Sequence, residues 1–161
     1  TGLEYARYYM HGEHLVVDGK PMSKSLGNIL YPGDIFSHGC SARDLRLFLF
    51  HTHYRKKLNF TKTRFRESCG KMSYLHNCTG QLVKKTGTAT KETSRVRELI
   101  ARVTRDFEAG MNNDLGAGVA FDAVSEILLE LYSLRTMMTR KNSADLKAVL
   151  TRIDAVFGVL I

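Results

Sequence analysis

The sequence is poor in proline, and it lacks the long apolar run of a membrane span and the leader of a secreted protein. Its 161 residues include two prolines and no tryptophan, and 43% are hydrophobic. Proline breaks helix interiors, so its scarcity favours long helices. No apolar run approaches the about 18 residues of a membrane-spanning helix, and no basic-then-apolar leader opens the chain. We therefore expect a mainly helical, cytoplasmic protein with no membrane partner.

Cysteine is scarce as well. Cys40, Cys69 and Cys78 cannot all pair, and none of them forms a C-x-x-C motif. Cys69 and Cys78 fall on one predicted helix, too far apart along it to bridge, so reduced thiols are expected. Among the six histidines, His51 and His53 are the closest pair. They have no cysteine or carboxylate at ligand spacing, so no metal ligands are predicted in this chain.

Charge of one sign dominates. The formal net charge is +8 and the sequence pI is about 9.5, which favours a polyanionic partner such as nucleic acid. The alternative is that lysines and arginines simply cover the solvated faces of helices. The basic residues fall into clusters within residues 55–66, 84–91, 95–105 and 135–141.

The stretch GKPMSKSLGN, residues 19–28, follows a turn at Asp18-Gly19 and precedes a helix-like segment. It predicts a glycine-bounded loop with two hydroxyls and a lysine, which suits a polyphosphate. Lys24 can offer an ammonium group to phosphate oxygens, and Ser23 and Ser25 can donate hydrogen bonds to them. A bare Ser-Lys-Ser would more often be an ordinary solvated turn, so the interpretation depends on the longer run.

That longer run resembles the KMSKS signature of class I aminoacyl-tRNA synthetases. Other segments, in the same order along the chain, narrow the resemblance to the cysteinyl-tRNA synthetases. Residues 1–11 resemble the segment upstream of their signature loop, and residues 41–49 resemble their DALR helix. Residues 53–60 and 111–115 resemble later segments of the same family.

The resemblance implies part of a cysteine–tRNA ligase, with ATP, its Mg²⁺ and tRNA(Cys) as partners. Lys24 would be the catalytic residue, and Met22, Ser23 and Ser25 would bind ATP with it. Zinc is expected in the longer enzyme, with no ligands in this chain. The chain begins at Thr1 and contains no HIGH signature, so L-cysteine is expected to bind through a missing catalytic domain. The fragment alone is therefore expected to be inactive.

The resemblance also divides the chain. Residues 1–40 would be the end of the catalytic domain, with the signature loop and a connecting segment. Residues 41–161 would be a DALR-type antiparallel helical bundle that binds tRNA. The residues expected to contact tRNA are Arg46, Arg55, Lys56, Lys57, Arg95 and Arg102.

Periodicity and capping residues predict where the helices lie. A short helix runs from Pro32 toward His38, and Ser41 caps the next helix. Thr61 caps a helix to about residue 85, followed by a polar loop over residues 85–90. The apolar residues of 96–107 recur at helical spacing. Later helix boundaries are expected at three residues, with Gly110 ending that helix, Asp114 opening the next and Ser143 capping the last.

Two alternatives remain open. One is a non-catalytic synthetase-like paralogue that binds RNA. Its support is Pro21, which stands where the family has its first signature lysine, with Lys20 displaced by one position, and further departures from the family's pattern at residues 11–13, 112–113 and 116–117. The other is a cysteine ligase that acts on an amino-sugar acceptor and needs no tRNA. The basic bundle favours tRNA over the amino sugar.

Overall fold

The computed structural model describes residue 2 and residues 4–36, 39–84 and 89–161. Within these residues the fold is mainly α-helical, as predicted, with a small sheet near the N-terminus. The strands are β1 (Leu15–Val17), β2 (Lys20–Pro21) and β3 (Leu58–Phe60). The helices are α1 (Pro32–Phe36), α2 (Ala42–His51), α3 (Lys62–Lys84), α4 (Ser94–Asn112), α5 (Ala117–Ser133) and α6 (Arg140–Phe157), with a 3-10 turn at Arg135–Met137.

The sheet has the order β2-β1-β3. Strands β1 and β2 form a hairpin around the predicted turn, whose residues Asp18 and Gly19 have φ values of 48° and 75°. An Asp-Gly pair suits such a turn because both positions need positive φ. Strand β1 also pairs with β3 in parallel, with Val17 opposite Phe60. The segment 58–60 therefore forms a strand that the sequence did not reveal.

A small aromatic core joins the sheet to α2 and α3. Its buried members are Val17, Phe48, Phe60 and Phe65. The Phe48 ring packs edge-on against Phe60 and Phe65, with centroids 5.5 and 5.4 Å apart, an arrangement that aromatic quadrupoles favour. This core fixes the sheet, and so the base of the loop after β2, against the start of the helical region.

The larger bundle core lies among α3, α4, α5 and α6, with Leu47 of α2 at its edge. Apolar residues at helical spacing supply it, and Leu99, Leu128 and Leu146 are fully buried. Helix α2 contributes to both cores, since Leu47 faces the bundle and Phe48 faces the sheet. Within the described residues, no helix is long and apolar enough to cross a bilayer.

The expected boundaries around α4 and α5 are wrong by a few residues. Gly110 does not end α4, which continues to Asn112. The glycine lies where α5 crosses, and a Cβ there would stand 2.7 Å from the Cβ of Ala120. Asp114 does not open α5, which begins at Ala117 after Gly116. The carboxylate of Asp114 binds other side chains instead.

Ser143 was expected to cap the last helix, but Thr139 caps it. The Thr139 hydroxyl accepts from the Asn142 amide at 3.1 Å, and the Asn142 side chain accepts from the Thr139 amide at 2.9 Å. This reciprocal pair is a capping box, so α6 starts at Arg140. The predicted caps at Ser41 and Thr61 are confirmed. His38 and residues 85–88 of the predicted loop lie outside the described residues.

Candidate functional site

The signature loop, defined here as residues 22–28, is closed at its base by one side chain. The carboxamide of Asn28 accepts from the Ser23 amide and donates to the Pro21 carbonyl, each at 2.9 Å. Near the tip, the Gly27 amide donates to the Lys24 carbonyl at 3.1 Å. Gly27 has a φ of 62°, which a residue with a Cβ rarely adopts. The sequence therefore builds a short loop with a fixed neck.

The neck rests on the aromatic core. Met22 is half-buried and packs against the cluster that contains Phe60 and Phe65. The tip behaves differently, since Lys24, Ser25 and Leu26 are exposed. Such a loop has an anchored base and a tip that meets solvent.

The side-chain ammonium of Lys24 has no hydrogen-bond or ion-pair partner among the described residues. The hydroxyls of Ser23 and Ser25 lie 3.3 Å apart, next to it in sequence. The structure thus brings the predicted ammonium and hydroxyl groups together on one exposed loop. This set can donate to an anion with several oxygens.

A polar clamp joins the segment before β3 to the α4–α5 connection. The Arg55 guanidinium donates to both carboxylate oxygens of Asp114, at 2.7 and 3.2 Å, and the Tyr54 hydroxyl donates to one of them at 2.7 Å. These hydrogen bonds, Arg55 first, lower the pKa of Asp114 to about 2. Arg55, expected to contact tRNA, is therefore held by a carboxylate.

Arg46 is also engaged within the chain. Its guanidinium donates to the backbone carbonyls of Phe157 and Val156, the latter at 3.0 Å. These are the last carbonyls of α6, where a cation complements the helix dipole. Arg46 thereby links α2 to the end of the last helix.

The four arginines of α4 all pair with acidic side chains. Arg95 donates to Glu130 on α5 at 2.9 Å and to Glu98 at 3.1 Å, and Arg102 pairs with Asp106 at 3.2 Å. Arg97 and Arg105 pair with Glu92 and Asp106 respectively. Much of the positive charge expected on this helix is thus balanced locally.

Lys56 and Lys57 differ from these arginines. Both are exposed, and neither side-chain ammonium has a polar partner in the described part of the chain. Nearby, Arg64 and Lys71 line an open groove of about 650 Å³ between α2, α3 and α5, and their side chains are also without partners there. Cations without a side-chain partner therefore lie around β3 and the start of α3, although the carboxylates of Glu67 and Asp122 line the same groove.

The two histidines considered as a metal pair have separate partners. Nε2 of His51 lies 2.8 Å from a carboxylate oxygen of Asp122, and Nε2 of His53 lies 2.9 Å from the Asp114 carbonyl oxygen. Over residues 4–36, 39–84 and 89–161, no group of three His, Cys, Asp or Glu side chains is placed to hold a metal ion.

Comparisons with known proteins identify what this chain is similar to. Residues 1–71 match the family described as the class I (C) tRNA synthetase catalytic domain. The match ends within α3, beyond the boundary predicted at residue 40.

Curated relatives match nearly the whole chain. The cysteine–tRNA ligase of Chlamydia pneumoniae is 28% identical over 162 residues, which are 99% of this chain and 34% of that protein. The ligase of Leptospira interrogans is 28% identical over 160 residues (97% and 34%), and that of Solibacter usitatus is 30% identical over 162 (99% and 34%). The chain spans about a third of the length of these relatives. The resemblance to the cysteinyl-tRNA synthetases is therefore confirmed along the chain.

Proposed function

We propose that this chain is the part of a cysteine–tRNA ligase that carries an ATP-binding loop and connects it to a tRNA-contacting bundle. The observation that carries the proposal is the signature loop, with its fixed neck and an exposed, unpartnered Lys24. The curated relatives over almost all of the chain are cysteine–tRNA ligases, which favours this reading over the two alternatives.

The loop would act in adenylate formation. ATP enters as its Mg²⁺ complex, the amino-acid carboxylate attacks the α-phosphorus, and pyrophosphate leaves with added negative charge. An ammonium group brought to the leaving oxygens stabilises that charge without a proton transfer. Lys24 would supply it, while Ser23 and Ser25 donate further hydrogen bonds and Met22 holds the base on the aromatic core. No part of this role depends on zinc.

The tRNA role is proposed for the positive surface around β3. Phosphate contacts position an RNA without reading its sequence, and unpaired lysines suit that task better than arginines already bound to carboxylates. Of the predicted residues, Lys56 and Lys57 meet this condition. Arg46, Arg55, Arg95 and Arg102 would contribute by shaping the surface or after exchanging partners.

The test is ATP–pyrophosphate exchange by the complete protein that contains this chain. Lys24→Ala should lower the exchange rate about 10²- to 10³-fold, the scale of losing one contact to developing charge. Cysteine affinity should change little, because the ammonium is proposed to meet the pyrophosphate. Lys147→Ala removes an exposed ammonium group on α6 that has no polar partner among the described residues, and it should leave the rate unchanged.

Three results would contradict the proposal in different ways. An unchanged rate in Lys24→Ala would remove Lys24 from the chemistry. A complete wild-type protein with no exchange would favour the non-catalytic paralogue. Exchange followed by acyl transfer to an amino sugar, and none to tRNA, would favour the second alternative. The 161-residue chain alone should show no exchange.

A further inference from the structure

Two cysteines that are distant in sequence meet beside the aromatic core against which Met22 also packs. The Sγ atoms of Cys40, just before α2, and Cys69, on α3, lie 2.7 Å apart, and the Cys69 thiol is placed to donate to the Cys40 sulfur. The two residues are 29 positions apart. Cys78, the third cysteine, is fully buried in the bundle. The contact therefore singles out one pair among the three possible.

Both thiols can be reached by a small reagent. Cys40 and Cys69 are each half-buried, and Cys40 lines a small, mostly apolar cavity of about 110 Å³ beside Phe60 and Phe65. Cys78 has no exposed surface. A small neutral oxidant thus meets the pair before it meets the third thiol.

We infer that Cys40 and Cys69 are a modification site, a dithiol that a peroxide converts reversibly to an intramolecular disulfide. The inference does not depend on the proposed function. A disulfide here would tie the start of α2 to α3, next to the aromatic core on which Met22 rests. Oxidation would therefore stiffen the support of the signature loop.

The chemistry balances with hydrogen peroxide as the oxidant. The Cys40 sulfur attacks one peroxide oxygen, the O–O bond breaks, and a sulfenic acid and one water form. The Cys69 sulfur then attacks the Cys40 sulfur, the S–O bond breaks, and the hydroxyl leaves as a second water with the Cys69 proton. Two thiols lose two hydrogens and two electrons to the peroxide, and a dithiol reductant reverses the change.

The environment supports this order of attack. Burial, the contact with Cys40 and the Asp44 carboxylate raise the pKa of the Cys69 thiol to about 12. A thiol that resists ionisation is a poor first nucleophile. Cys40 also lines the cavity, whereas Cys69 does not, so Cys40 reacts with the oxidant first. Cys69 then resolves the intermediate because it is held against the Cys40 sulfur.

Peptide mapping of the peroxide-treated chain tests the inference, because trypsin separates the cysteines into residues 25–43, 67–71 and 72–84. We expect a disulfide linking the first two peptides, an unlinked third peptide and full reversal by dithiothreitol. The yield should not depend on protein concentration. The oxidised chain should melt on the order of 5–10 °C higher than the reduced chain.

Single substitutions distinguish the roles of the two thiols. Cys78→Ser should retain the linkage. Cys69→Ser should lose it and leave a sulfenic acid on Cys40 that dimedone traps, whereas Cys40→Ser should give far less trapped product on Cys69. The inference fails if wild type yields a linkage to Cys78, a link between two chains, or sulfinic acid on either residue without a disulfide. The wild-type map decides this even if a variant does not fold.

Discussion

The sheet end, meaning β1–β3 with the signature loop, has shorter secondary-structure elements and a smaller core than the helical bundle. The sheet has strands of two or three residues and shares a core of four buried side chains with α2 and α3. The bundle has helices of 17 to 23 residues around a far larger apolar core. Buried apolar area is the main source of stability, so the sheet end depends on the bundle for its position.

The two regions also differ in how their charged side chains are paired. The arginines of α4 are balanced by Glu92, Glu98, Asp106 and Glu130. Lys24, Lys56 and Lys57, on or next to the sheet end, have no such partners among the described residues. The α4 arginines are balanced within the bundle, and one of them, Arg95, joins α4 to α5, whereas the three lysines at the sheet end present their charges to solvent. Groups free to meet a polyanion thus include the lysines on the part of the fold that has the smaller core.

The largest expected effect comes from breaking the contact between α2 and α5. A Cβ at Gly118 would stand 1.9 Å from the His51 carbonyl oxygen, so Gly118→Ala must push α2 away from the bundle. We expect a loss of about 1–3 kcal/mol in the free energy of unfolding, the usual scale for overpacking. Urea unfolding of the chain, followed by far-UV circular dichroism, measures it.

Gly70→Ala on α3 is the matched control, because a Cβ there meets nothing within 4 Å. Alanine has the higher helix propensity, so this variant should gain about 0.5–1 kcal/mol. A Gly118→Ala variant as stable as wild type would show that α2 does not rest tightly on α5.

The helices, turns and caps show which features the sequence could predict and which it could not. Apolar spacing predicted the long helices, and the Asp-Gly pair predicted the turn between β1 and β2, because both signals are local. Gly110 was misread as a helix stop, since its reason for being glycine is Ala120 of the next helix. The capping box at Thr139 was missed because Ser143, nearby, is also a favoured cap residue.

The other features that the sequence could not predict depend on contacts between residues that are far apart along the chain. The motif located the exposed loop residues around Lys24, but not the closure of its neck by Asn28. A three-residue strand such as β3 has too short a pattern to reveal its parallel partner 43 positions away. The same holds for Arg55 and Asp114, and for Cys40 and Cys69, which only folding brings together. Positive net charge likewise did not distinguish the paired arginines from the free lysines.

A pH series tests the clamp between the two regions. The folded pKa of Asp114 lies below its ordinary value of 3.8, at about 2, chiefly because of Arg55. Its contribution to stability is therefore fully present above about pH 4 and is lost as the pH falls through about 2. The difference in unfolding free energy between wild type and Asp114→Asn should shrink over that interval.

Arg55→Gln serves as the partner variant for this experiment. It should reproduce the flattened pH dependence of Asp114→Asn, and the double variant should add little to either, because both remove the same interaction. Additive effects, or a difference that stays constant from pH 6 down to about pH 2, would show that the clamp does not hold the two regions together.

The smallest expected effect is on tRNA binding, which should distinguish the unpaired lysines from the arginines that are paired with carboxylates. If the free lysines contact RNA, the chain should bind tRNA in the micromolar range, with affinity that falls steeply as salt increases. Lys56→Glu with Lys57→Glu should weaken binding to different tRNAs alike, because phosphate contacts carry no sequence information. The slope of log affinity against log salt should flatten by about 0.7–0.9 per lost contact.

Arg95→Gln with Arg102→Gln is the matched pair, since it also removes two cations but from side chains already bound to carboxylates. It should change the slope less than the lysine pair does. Equal effects of the two pairs would mean that the arginines exchange their carboxylate partners for phosphates at little cost, and local pairing would then not distinguish the two regions.

Binding whose affinity does not depend on salt, or no binding at low salt, would show that the lysines are only a solvated surface. The distinction between balanced and free charge would then describe stability alone, and the bundle would serve as a support for the signature loop.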